Sequence, residues 1–282
     1  MKLIHTMPLF IHKNPQEFES NLKLAKRCFE SLAQSKENRI VVYNQGCLPN
    51  EVITNMLKSY GVSPIILGNG SNVGIPKARQ TCFQYIWEQY PEIEFISEVH
   101  LDMIFPKNWY TPLIDFLSKS DEPMVSPGIL TISGEMQPLG NFVEIPEDTS
   151  ELISLLAKWV RDEVHERFVH PVIHKSQILK EVGGYDTQFL KGKQGYEDDS
   201  LLLGYLYYMG TRTNWRPKCY LKSFVYHAGM AQRMSLPDKS IDFDLNEKGL
   251  IKQYGAYGLK QLSHIHENSS SFKLILDKFM EE

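Results

Sequence analysis

The chain has 282 residues, 42% apolar, 11% aromatic and 23% charged, a usage that supports a real hydrophobic core. Thirty Lys and Arg against thirty-four Asp and Glu leave a net charge of -4, so no basic field exists to grip nucleic acid through its phosphates. No stretch approaches the roughly 18 uninterrupted apolar residues of a membrane span, and the opening MKLIHTMPLFIHKN is too broken by His and Pro for a signal peptide.

In chain order, residues 2–11 read as a strand. Asn14-Pro15-Gln16-Glu17 opens a helix, with Asn as cap and Pro in the first turn. Phe18, Leu22, Ala25, Phe29 and Leu32 give that helix one buried face. Arg39–Tyr43 is a second strand, Val52–Tyr60 a helix and Ser63–Leu67 a third strand. A Gly/Asn loop over 68–74 leads into a helix carrying Ala78, Cys82, Phe83, Ile86 and Tyr90, and Ile93–Val99 is the fourth strand. Such alternation predicts a parallel sheet covered on both faces.

After Pro106 the rhythm changes. A helix around 109–117 precedes an apolar run at Met124–Ile132 and a Gly/Pro/acid-rich loop through Thr149. Residues 151–166 read as helix, 168–174 as extended, 196–210 as helix and 213–227 as extended. Two further helices, about 245–265 and 271–281, follow a more polar stretch. The expectation is an α/β core of about 235 residues with a helical C-terminal tail. Four scattered cysteines (Cys28, Cys47, Cys82, Cys219) with no CxxC pair predict reduced thiols in a cytoplasmic protein.

Ligands of open parallel sheets gather at the carboxyl ends of the strands. The fourth strand ends in Glu98-Val-His-Leu-Asp102, and alternation puts Glu98, His100 and Asp102 on one side. A divalent ion held by carboxylates and substrate phosphates accounts for acids there, and so does a plain polar strand end. A second cluster is Val182-Gly-Gly-Tyr-Asp186, followed by Gly195-Tyr-Glu-Asp-Asp-Ser-Leu201. Its three acids suit the positive end of a helix, while paired glycines mark a sharp turn or a close approach. His227 closes the apolar run Phe224-Val-Tyr and, taken alone, reads as a core residue.

Together and in this order, these segments resemble the GT-A fold glycosyltransferases of the family 2 type, over roughly residues 3–230. VGGYD followed by GYEDDSL and Gly210 is similar to that family's acceptor-side signature. Pro8, Asn72-Val-Gly74 and Ala78-Arg79 are similar to its donor side, and His100-Leu-Asp102 stands at the place of its DxD motif. The resemblance implies a mixed, mostly parallel central sheet flanked by helices. It implies a nucleotide-binding half at 1–104, an acceptor and catalytic half at 105–235, and a helical extension at 236–282. The implied activity is inverting transfer of a sugar from a nucleotide-diphosphate sugar to a hydroxyl of a glycan, lipid or protein, assisted by Mn²⁺ or Mg²⁺.

On this resemblance Asp102 is a metal ligand, with His227 and His100 as further nitrogen ligands. Asp198 is the catalytic base, with Glu197 and Asp199 beside it for acceptor hydroxyls or helix support, and Gly184 and Tyr185 as further acceptor-binding residues. Pro8, Asn44, Gly74, Lys77, Arg79, His100 and Arg233 face the nucleotide sugar. The sequence departs from the family at two places: His100 replaces the first acid of DxD, and Asn44 an acid at the end of the second strand. The altered DxD leaves open a module that binds a nucleotide or sugar without transferring it. The glycine loop does not support a dinucleotide site, because Gly74 is one residue late for GxGxxG. Asp242-Phe-Asp244 and His264 with His266 read as solvated residues, while His170 and His174, flanking a strand of the acceptor half, read as packing with substrate contact as the alternative. The apolar positions Phe272, Leu274, Ile275 and Phe279 offer a face for docking on the core or on a second subunit.

Overall fold

Side chains of β1 (Leu3–Leu9) alternate between two cores, Leu3 and Met7 entering one and Ile4 the other. The computed structural model describes residues 2–229, 239–266 and 270–281. β2 (Arg39–Asn44) and β4 (Phe95–Glu98) flank β1 in parallel, and β3 (Ser63–Gly68) extends the parallel block beyond β2. The crossovers are α1 (Pro15–Ala33), α2 (Asn50–Ser59) and α3 (Ile75–Gln89). The Asn14 side chain caps α1 by accepting from the Gln16 N–H at 3.2 Å, as the Asn-Pro-x-Glu pattern predicts.

Beyond β4 the sheet becomes mixed. β10 (Val172–Lys175) runs antiparallel between β4 and β6 (Met124–Thr131), β11 (Lys218–His227) runs parallel to β6, and β5 (Met103–Ile104) closes the edge. The strand order is β3-β2-β1-β4-β10-β6-β11-β5. β7 (Glu135–Gln137) and β8 (Asn141–Phe142) form a small ribbon on β6, and β9 (Val164–Glu166) pairs with β11.

One face of the sheet is covered by α1, α2, α4 (Thr111–Ser118) and α5 (Thr149–Lys158), through Phe29, Leu57, Leu113 and Leu152. The other is covered by α3, α6 (Ser176–Val182), α7 (Glu197–Met209) and α8 (Lys239–Ile265), through Phe83, Leu179, Leu202 and Leu250. α8 is interrupted at Gly255, and α9 (Ser270–Glu281) packs against it. No helix among the described residues is long and apolar enough to cross a membrane.

Two readings of the sequence change, and one short helix is new. The helix expected over 151–166 stops at Lys158, because Val164–Glu166 is drawn into the sheet by β11 and Arg161 donates to the Leu221 carbonyl at 3.0 Å. The loop before Thr149 contains the β7–β8 ribbon. Ser176–Val182 is a helix whose left-handed cap is Gly183 (φ 97°), with Gly184 (φ 71°) continuing the turn. The boundary expected near 235 lies outside the described residues.

Candidate active site

A cleft of about 250 Å³ opens at the carboxyl ends of β1 and β4 and is closed by the start of α7 and the end of β11. Two strand pairings assemble it from distant sequence. β5 runs antiparallel to β11 with Met103 opposite His227, and the Ala228 N–H donates to the Asp102 carbonyl at 3.1 Å, so His227 arrives beside Asp102. β10 pairs with β4 with Val172 opposite Glu98. His170, two residues before Val172, therefore meets His100, and their ring centroids are 4.9 Å apart.

His100, Asp102 and His227 each offer one ligand atom, all within 4.8 Å of one another. His227 Nε2 lies 3.5 Å from Asp102 Oδ1. Burial lowers the pKa of His227, outweighing the Asp102 charge that would raise it, so the ring is neutral, the form that binds metals. The residues therefore fit a divalent ion. Two imidazoles with one carboxylate favour Mn²⁺ over the harder Mg²⁺.

On the other wall the first turn of α7 delivers Asp198, after Gly195 (φ 93°) and Tyr196 (φ 60°) have turned the chain. His170 Nε2 lies 3.1 Å from Asp198 Oδ2, and Tyr185 Oη lies 2.9 Å from Asp198 Oδ1. Burial alone would lower the pKa of His170, but the charge and hydrogen bond of Asp198 outweigh it and raise it. Tyr185 Oη is also 2.8 Å from Glu98 Oε2, so its single proton serves one carboxylate at a time. Burial, then the charges of Asp198 and Glu98, hold that phenol well above its ordinary pKa, and the proton stays on it.

Glu98 is the anchor of this wall. It is 1% exposed, with Arg79 Nε at 3.1 Å and His174 Nε2 at 2.6 Å. Burial would raise its pKa, but Arg79 and the His174 hydrogen bond more than offset that, so it is lowered and Glu98 is ionised. Since the carboxylate only accepts, His174 Nε2 donates to it, while Nδ1 is hydrogen-bonded to Tyr205 Oη at 2.7 Å.

The structure brings together Pro8, Arg79, His100, Asp102, Tyr185, Glu197, Asp198 and His227 around the cleft. Other expected residues stand elsewhere. Arg79 touches the cleft, yet its guanidinium is spent on Glu98, on Thr6 and on the Val99 carbonyl (2.9 Å), which makes it a buried strut. Asn44 is buried in its own turn, donating to Leu48 O (2.8 Å) and Asn50 Oδ1 (2.7 Å) and accepting from Gly46 N (3.0 Å). Lys77 is exposed on α3 away from the cleft lining. Gly74 (φ 88°) packs against the backbone of Lys193. Gly184 turns the chain over Gln80, which accepts from the Tyr185 N–H at 2.8 Å, and so aims Tyr185 inward. Asp199 points at the end of α8, bonded to His266 Nε2 at 2.8 Å. Arg233 lies outside the described residues.

Lys193 and Gln194 escaped the sequence and enter the cleft from the strap before α7, and Phe10, Gln45 and Ile75 also line it; His170, read first as packing, is in the lining too. The register that places His170 is nonlocal and leaves no local signal. Asp242 of the literal DxD accepts from the Lys193 N–H at 3.0 Å and is structural, as expected.

No protein-family model and no curated protein matches the chain in sequence. Solved structures do match in fold. TarS of S. aureus is 12% identical with a TM-score of 0.56, covering 95% of this chain and 43% of that one. TarS 1–349 in complex with UDP-GlcNAc is 12% identical with a TM-score of 0.57, covering 96% and 73%. GalNAc-T7 with UDP, GalNAc and Mn²⁺ is 15% identical with a TM-score of 0.56, covering 100% and 57%. This chain thus spans less than half the length of full TarS. At these identities the likeness is one of architecture, and with the mixed sheet and its strand-end cleft it establishes that the chain has the GT-A fold.

Proposed function

We propose that the protein is a glycosyltransferase that moves a sugar from a nucleotide-diphosphate sugar to an acceptor hydroxyl with inversion. The observation that carries this reading is one cleft holding both a His–Asp–His ligand set and an oriented carboxylate from a different element. The neighbouring structures hold UDP-GlcNAc and UDP, which makes uridine donors the first to try.

His100, Asp102 and His227 would hold Mn²⁺ or Mg²⁺, which when bound neutralises charge on a departing diphosphate. Asp198 accepts the proton of the attacking hydroxyl at a carboxylate oxygen. His170 and Tyr185 fix the direction of that carboxylate, and Glu98 with Arg79 fixes Tyr185. Glu197, buried on the same wall, binds acceptor hydroxyls. Asp199, tied to His266, supports α7 rather than the acceptor. Residues 1–104 form the donor half and 105–235 the acceptor half, with 236–282 as the extension. We place the protein in the cytoplasm, on the strength of its four free cysteines; the apolar side of α9 docks on its own core through Phe272, Ile275 and Phe279.

The test is a panel of nucleotide sugars with Mn²⁺, Mg²⁺ or chelator, read as product formation and slow donor hydrolysis. One donor should be turned over only with metal. Asp198→Asn should lose about 10²–10⁴-fold in turnover while still binding that donor. Full turnover by Asp198→Asn sinks the assignment of the base. Binding by wild type with no turnover for any acceptor or water points to the silent module.

A further inference from the structure

The strap Gly192–Gly195 leads into α7 and carries Lys193 and Gln194 to the cleft. It is gripped from two sides. On one, Ile75 at the start of α3 donates its N–H to the Lys193 carbonyl at 2.7 Å. On the other stands α8. Asn246 is fully buried, and its carboxamide accepts from the Gly192 N–H at 2.6 Å and donates to the carbonyls of Gln194 (3.1 Å) and Gly195 (2.8 Å). Asp242 adds the bond from the Lys193 N–H at 3.0 Å. A buried amide costs free energy unless it is satisfied, and here every bond of the Asn246 amide goes to the backbone of this one strap.

The strap in turn presents an exposed lysine to the cleft. Of the two Lys and Arg residues among the described cleft lining, Arg79 is neutralised by Glu98. Lys193 has no ion-pair partner among the described residues. We infer that Lys193 is the binding cation for the diphosphate of the donor, and that α8 is a positioning element that sets Lys193 through Asn246 and Asp242. The inference rests on the donor reading above and extends it to a residue and a helix outside the motifs.

Calorimetric titration with UDP, and with uridine as the phosphate-free control, both in Mn²⁺, tests it. Lys193→Gln should weaken UDP binding about tenfold, the worth of one charge-assisted contact, leave uridine unchanged, and be restored by Lys193→Arg. Asn246→Ala should show the same loss for UDP, and the double variant should lose no more than either single one, because Asn246 acts through Lys193. If Asn246→Ala does not fold, Asp242→Ala takes its place in the same cycle. UDP binding by Lys193→Gln at wild-type strength overturns the role of Lys193 alone. Additive losses overturn the link to α8. Wild type that binds neither UDP nor uridine overturns the uridine donor reading, and this inference with it.

Discussion

Arg79 and Glu98 stand side by side in the interior, each 1% exposed, and neither is tolerable there without the other. Arg79→Met should therefore cost about 3–5 kcal/mol by leaving Glu98 uncompensated, and adding Glu98→Gln should recover part of that loss in urea unfolding. Additive losses would show that the two charges are solvated independently. His5 carries a separate expectation. It is wholly buried, with Nε2 on the Glu37 carbonyl at 2.9 Å and Nδ1 on Ser97 Oγ, and burial lowers its pKa from 6.5 to about 4. The folded state binds this proton less readily than the unfolded chain. Its stabilising contribution is thus complete above pH 6.5 and is lost as pH falls toward about 4. The loss amounts to about 3 kcal/mol at 1.36 kcal/mol per pKa unit. The urea midpoint of His5→Asn should fall less between pH 7 and 4.5 than that of wild type.

At the scale of elements, α8 is the helix whose docking shapes the site. Gly249 faces the turn before the strap, where a β-carbon would collide with the carbonyl of Phe189. An alanine in a free helix stabilises by about 1 kcal/mol over glycine, whereas in a contact this close overpacking costs about 1–3 kcal/mol. Gly249→Ala should therefore destabilise in urea unfolding; a gain in stability would show that α8 does not dock as described. The helix itself was visible in the sequence, although it begins at Lys239 rather than near 245. Its partner was not, because Asp242 and Asn246 bond to backbone atoms, which carry no residue signature.

For the whole molecule, the sheet joins two halves of the sequence, and the ligand set draws on both: His100 and Asp102 follow β4, while His227 ends β11. A ligand that binds only the folded chain stabilises it by mass action, about 2.7 kcal/mol at a hundredfold excess over its Kd. Saturating Mn²⁺ should therefore raise the melting temperature of wild type but not of Asp102→Ala. Equal shifts for both would remove Asp102 from the ligand set.

The strand–helix rhythm of the first hundred residues, the cap at Asn14 and the order of segments that resembles a GT-A enzyme are all legible along the chain. Those features are local: hydrophobic period, capping chemistry and spacing along the chain. The sequence also brought Asp102, His100, His227, Asp198 and Tyr185 forward as candidates that do meet in one cleft. That Arg79 neutralises Glu98, that Asn44 is spent on its own turn, and that His170 and Lys193 line the cleft emerges from the folded chain alone. The reason is physical. Which donor meets which acceptor across β10–β4, β5–β11 and α8 depends on register between segments far apart in sequence, and register is set by the packing of the whole sheet.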